Sequence, residues 1–340
     1  MFDINELYSN RIKGKINNPN NTKKENILDV TKACAAYLKV EHNLNLDSKS
    51  EITPSRGIKE VINFLSIGFV NKDDYIITIS PSYNKISSVV EWLEGKTYEY
   101  KLHRFNKYLI DFEDIEENIL KKCKILHINY PNNPTGEVAN KEFFKDIIKY
   151  AKKYNFIVIN DASDIDLCFN DIDKISFMSV EGAKDIGVEL YKVNNQNFIV
   201  GNKNIIKIYE MINENVGFDY NIEPKLFDNQ DIYNKQRNQL YLKRHETMKK
   251  ILEKNGFKCA IPKAGYNVYV SIPKRCNGVS FESANEFSIW LMENIQINVT
   301  SYDVEGKYIS FSLNFVDNEE MERKIFEELE DRLSKFKFEF

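Results

Sequence analysis

The sequence predicts an α/β protein organised around a parallel β-α-β crossover, and three observations carry the prediction. Ile125-Leu126-His127-Ile128-Asn129-Tyr130 is a short β-rich run of the kind that fits a buried strand. It meets the turn signal Pro131-Asn132-Asn133-Pro134-Thr135-Gly136, and a helical repeat follows in Phe143, Phe144, Ile147, Ile148, Ala151 and Tyr154. A second run, Phe156-Ile157-Val158-Ile159-Asn160, then delivers Asp161 at its carboxyl end. Ligands of open α/β sheets bind at that edge, so the crossover puts an Asn-Pro loop and an aspartate on one rim.

The remaining elements follow from the same signals. An amphipathic helix is expected from Ile27 to Leu38, with Val30, Ala33, Cys34 and Leu38 on one face. Thr53-Pro54-Ser55-Arg56-Gly57-Ile58-Lys59-Glu60 opens a helix that runs on through Val61, Ile62 and Leu65. Tyr75–Ile79 and Tyr98–Leu102 read as strands, and Asp111–Leu120 as a short acidic helix. Leu190 to Val200 holds two β-rich runs joined by an Asn-rich tip, a hairpin signature. A long helix is expected from Asp231 to Lys254, stopped by Asn255-Gly256. Beyond it come strands at Tyr266–Ile272, Ile297–Thr300 and Tyr308–Phe315, a helix at Ser283–Ile295, and a charged final helix.

Composition bounds the functional classes. A length of 340 residues allows two domains or one large one, and 42% hydrophobic with 29% charged residues is globular. A net charge of −4 with both signs interspersed argues against a nucleic-acid surface. No apolar run reaches transmembrane length, and the first residues lack a signal-peptide pattern. Five scattered cysteines read as reduced thiols of a cytoplasmic protein. The four isolated histidines give no metal-ligand spacing, so no metal site is expected.

Asn129-Tyr130-Pro131-Asn132-Asn133-Pro134-Thr135-Gly136, a helix, and a strand ending in Asp161-Ala162 together resemble the class I/II aminotransferases, pyridoxal-phosphate enzymes of fold type I. The resemblance runs from about Asp29 to the C-terminus. It implies an aminotransferase-like α/β fold, with a large domain on a mostly parallel seven-stranded sheet and a smaller α+β C-terminal domain. The expected division is 46–228 for the large domain, with 1–45 and 229–340 forming the small one. It further implies that Asn133 bonds the cofactor's phenolic oxygen and that Asp161 pairs with the pyridine nitrogen, which makes the ring an electron sink. Tyr83, in Pro81-Ser82-Tyr83, is the residue expected to stack on the ring. Gly57 and Ile58 resemble the turn that holds the cofactor phosphate at a helix start, although a plain helix start explains them equally well.

Four places depart from the family pattern. The family's N-terminal substrate loop contains a glycine, and nothing around Gly14 marks such a loop. Asp164 stands where a tyrosine commonly bonds the phenolic oxygen, with Ser163 a weak substitute. Ser310 of Ser310-Phe311-Ser312-Leu313 stands where an arginine grips the substrate carboxylate. The lysine that binds the cofactor aldehyde would fall at Asn195, in the hairpin tip. Lys192, three places after Glu189, is on this alternation expected on the opposite side of the strand. The first reading is therefore a divergent member that does not transaminate, with a regulatory, partner-binding or ligand-holding role. The alternative is an active pyridoxal-phosphate aminotransferase using Lys192. A third reading has the cofactor bound reversibly as a free aldehyde. A homodimer and a small-molecule ligand are expected by resemblance, with neither nucleic acid nor membrane as partner.

Overall fold

The structure is a computed structural model that describes residues 2–13, 25–83, 88–169, 172, 174–216, 222–304, 306–315 and 318–340. Gly14 lies outside the described residues. In chain order the elements begin with helix α1 (Ile4–Leu7), α2 (Glu25–His42), strand β1 (Ile52–Ser55), α3 (Ile58–Phe69), β2 (Tyr75–Ser80), α4 (Val89–Trp92) and β3 (Lys96–Lys101). Helix α5 (Glu117–Lys122) leads into β4 (Cys123–Asn129), α6 (Lys141–Tyr154) and β5 (Ile157–Asp161). Helix α7 (Ala183–Ile186) precedes the hairpin β6 (Gly187–Val193) and β7 (Gln196–Gly201), then α8 (Lys203–Val216) and α9 (Gln230–Lys254). The C-terminal part holds β8 (Asn267–Ser271), β9 (Arg275–Cys276), β10 (Val279–Ser280) and α10 (Ala284–Ile295). It closes with β11 (Thr300–Val304), β12 (Gly306–Ser312), α11 (Glu319–Ser334) and β13 (Phe338–Glu339).

The first seven strands form one sheet in the order β1-β7-β6-β5-β4-β2-β3. Pairing is parallel from β3 through β6, and β7 alone runs against its neighbours. The mostly parallel seven-stranded sheet is therefore present. Strands β4 and β5 are almost wholly buried, because helices cover both faces as parallel sheets require. On one face Ile125, Ile157, Ile159, Val188 and Leu190 pack with α3 and α8; on the other Leu126, Val158 and Tyr191 pack with α2 and α6. Helix α6 follows directly from its sequence: Asn140 caps it by accepting from the Phe143 N–H, worth about 1 kcal/mol. It ends at Asn155, which adopts the left-handed conformation.

Two smaller three-stranded sheets, β11-β12-β8 and β10-β9-β13, share a separate core with α10 and α11. Helix α9 joins the two parts through a stripe that includes Asn234, Tyr241, Arg244, His245, Met248 and Leu252. The sequence grouped residues 1–45 with the C-terminal part, whereas Ile4, Leu7 and Ile12 are buried in the core of α3 and α8, and Val30 and Leu38 in the core of α6. The first three pack against α3 and α8, while α2 itself covers one face of the large sheet. The expected acidic helix breaks at Ile115 into a 3₁₀ turn, Phe112–Asp114, and α5, and the strand expected at Ile297–Thr300 begins only at Thr300. Among the described residues no helix is long and apolar enough to cross a membrane.

Candidate active site

The carboxyl ends of β4, β5 and β6 converge with the start of α3, and the site is assembled there. Asn129 at the end of β4 organises the Asn-Pro loop: its Nδ2 donates to the carbonyls of Asp161, at 2.8 Å, and Pro131, while its Oδ1 accepts the Asn133 N–H at 2.8 Å. Gly136 has φ +70° where the loop turns onto the C-terminal chain, and a Cβ there would lie 2.6 Å from the Ala264 carbonyl. Only glycine admits both that backbone conformation and that approach. The Asn133 side chain in turn accepts from Asn267 Nδ2 of β8 at 2.9 Å, and Asn267 Oδ1 accepts from the Ser310 hydroxyl at 3.2 Å.

Asp161 is fully buried at the end of β5. Burial pushes its carboxyl up, while hydrogen bonds from Ser163 and Tyr83 and the positive charge of Lys192 pull it back. The Tyr83 hydroxyl lies 2.5 Å from Asp161 Oδ2, so this tyrosine meets the aspartate through its hydroxyl, where the sequence had it as a ring platform. Half-buried Asp164 is pushed up to about 6, first by burial and then by the charge of Asp161. Lys192, Arg237 and a hydrogen bond from Asn133 act against that rise.

Lys192 is where strand alternation has to be corrected. Ile157, Ile159, Val188 and Leu190 share one core, and Asp161 and Lys192 continue their alternation on β5 and β6. Glu189, the starting point of the sequence count, faces the opposite side, where Ser176, Asn160 and the N–H groups of Phe177 and Met178 hold its carboxylate. An odd step from Glu189 is what carries Lys192 to the Asp161 face. Asp161 pairs with Leu190, so Lys192 stands two residues, about 7 Å, beyond the end of β5. It is exposed, and among the described residues it makes no ion pair.

The same face carries a row across three strands. Lys192 pairs with Asn197, and Asn197 with Ser55, placing all three side by side at the rim. Ser55 is buried and its Oγ has no hydrogen-bond partner among the described residues. Two residues on, Gly57 begins α3 with φ +119° and no side-chain cap, and a Cβ there would sit 3.7 Å from Asn197 Nδ2. Glu60 folds back to accept the Arg56 N–H at 3.0 Å, leaving the first helical N–H groups facing the rim. The Ile58 side chain is buried in the core, so only its backbone can serve there. Ser55, Asn197 and half-buried Arg237, on the inner stripe of α9, were not singled out from sequence. A hydroxyl without a partner shows only once β1 is seen to pair with β7.

The sequence model described as "Aminotransferase class I and II" matches residues 15–189. An LL-diaminopimelate aminotransferase of Methanocaldococcus jannaschii is 32% identical over 87% of this chain and 76% of its own length. The chain belongs to the class I and II aminotransferases. Transaminase BacF of Bacillus subtilis is 29% identical over 81% of the chain and 71% of its own. The apo-BacF structure is similar with a TM-score of 0.81 at 26% identity, covering 96% of this chain and 91% of that one.

The expectation of a member that has lost transamination is overturned by these relatives. Proteins 28–32% identical over most of the chain are named as aminotransferases or transaminases. Pyridoxal phosphate is the cofactor of this family member. The residues present fit it: the Ser55 hydroxyl and the α3 start suit the phosphate, Asp161 suits a ring nitrogen, and Lys192 presents an amine on the same face. Among the described residues no cluster of His, Cys, Asp or Glu could hold a metal.

Proposed function

We propose that this chain is an active pyridoxal-phosphate-dependent aminotransferase acting on an amino-acid donor, with Lys192 supplying the amine at its centre. The observation that carries the reading is the position of Lys192, an exposed amine on the Asp161 face whose charge is felt at both Asp161 and Asp164. When bound, the cofactor supplies an aldehyde that takes up an amino group and a ring that draws electrons from the adjacent bond. Asp161 holds a proton on the ring nitrogen, Asn133 orients the phenolic edge, and Ser55 with the first turn of α3 anchors the phosphate. Lys192 would supply the amine that holds the aldehyde and the base that takes up and returns the proton at the donor's α-carbon.

The test is borohydride reduction of protein loaded with pyridoxal phosphate, followed by peptide mass mapping, with a transamination assay using LL-diaminopimelate and other amino acids against 2-oxoglutarate. The expected result is a stable adduct on Lys192 and turnover with at least one donor, both lost in Lys192→Ala. An adduct on another lysine, or turnover surviving in Lys192→Ala, would refute the assignment.

We further propose a homodimer, for which the exposed Trp92 and Phe105, each 80% accessible, provide apolar surface; sedimentation as a monomer at micromolar concentration would reject it. Five free cysteines agree with a cytoplasmic setting.

A further inference from the structure

A carboxylate-bearing donor has to enter beside two aspartates, and the structure limits what can receive it. The wall formed by β8 and β12 offers Asn267, Tyr269, Tyr308 and Ser310, all neutral. Among the described residues the cations acting on Asp164 are Lys192 and Arg237. Lys192 is committed to the cofactor in the function proposed above, which leaves Arg237.

Arg237 sits on the inner stripe of α9, one turn before Tyr241. A charge on that stripe calls for a partner. Arg244, one stripe position further on, has its own: Glu322 at 2.7 Å and the Leu313 carbonyl at 3.0 Å. Arg237 has none of this kind. Its Nε is buried with no hydrogen-bond partner, its guanidinium lies 5.5 Å from the Tyr233 ring centre, and among the described residues it makes no ion pair within 4.0 Å. Its charge nonetheless reaches Asp164 and Tyr241. Asp164 in turn is hydrogen-bonded by Asn133, the residue joined to Asn267 and Ser310. A guanidinium whose buried Nε–H has no partner, and whose charge is felt at Asp164, can offer a carboxylate the forked pair of donors it takes.

We infer that Arg237 is the specificity-determining residue that receives the substrate carboxylate, entering from the interdomain helix. This rests on the aminotransferase reading, and the experiment separates the two. Protein carrying pyridoxal phosphate binds 2-oxoglutarate without reacting, so affinity is measured by calorimetry with no turnover. Arg237→Met is expected to weaken 2-oxoglutarate roughly 10- to 100-fold, the scale of a lost charged hydrogen-bond pair. Arg237→Lys should recover part of that, and both should keep the Lys192 adduct after borohydride. A role limited to neutralising Asp164 would show as affinity restored in Arg237→Met/Asp164→Asn; the inference expects the double variant to stay weak. If the Met variant does not fold, the comparison passes to Arg237→Lys and Arg237→Gln. Affinity within twofold of wild type in a folded variant that still forms the adduct overturns the inference and leaves the aminotransferase reading standing. Absence of the adduct in wild type overturns that reading instead.

Discussion

Asp164 shows how one residue writes itself into the pH dependence of the whole chain. Its carboxyl holds its proton more tightly in the folded state, about 6 against 3.8. Folding therefore loses stability as pH rises from about 4 to about 6, and the penalty is complete above that. Asp164→Asn removes the penalty, so its melting temperature should exceed that of wild type at pH 7 and converge with it near pH 4. A constant offset across that range would contradict the assignment. Ser55→Ala is expected to weaken pyridoxal phosphate by about tenfold in a spectral titration, because a hydroxyl that can serve a charged phosphate is lost. Asn133 and Asp161 were legible in the sequence because a turn-rich string and a strand end declare their own positions. Ser55 was not, since its exceptional property is a missing partner, and only the pairing of β1 with β7 reveals that.

At the scale of elements, the β6–β7 hairpin decides which residue can be the amine. It was legible from its two β-rich runs, and Val193 and Gln196 do close around Asn194-Asn195. What misled the count was its origin, since Glu189 belongs to the other face of the sheet. Moving the amine to the tip should consequently fail: Lys192→Ala/Asn195→Lys is expected to show neither adduct nor turnover, and a restored adduct would contradict the geometry. Strand β1 escaped notice for a related reason. Ile52-Thr53-Pro54-Ser55 is short and contains a proline, which only an edge position tolerates. The long helix α9 was legible almost to the residue, because its stripe and its Asn-Gly stop agree.

Across the whole molecule, distant segments are tied together by buried polar groups as much as by apolar cores. Asp166 accepts the Tyr37 hydroxyl of α2 at 2.6 Å, with His42 at 3.1 Å and Lys174 at 3.0 Å. Burial alone would raise this carboxyl, but those three partners outweigh it and hold it well below the usual carboxylate range. Asn234 of α9 donates to the same Tyr37 hydroxyl at 3.1 Å, so α2, the chain after β5 and α9 meet at one point. Removing the carboxylate in Asp166→Ala takes from Tyr37, His42 and Lys174 the buried group they share, leaving Lys174 with Glu41 at 3.5 Å, and should cost about 3 kcal/mol in urea unfolding. No periodicity announces such a meeting point, because its members are 129 and 197 residues apart.

The bond between Asn133 and Asn267 has a mechanical consequence. One of its ends belongs to the Asn-Pro loop and the other to the β8 wall. In the function proposed above that loop borders the coenzyme's hydroxyl edge, so a displacement of the C-terminal sheet would pull on it, and the colour of bound pyridoxal phosphate would register the movement.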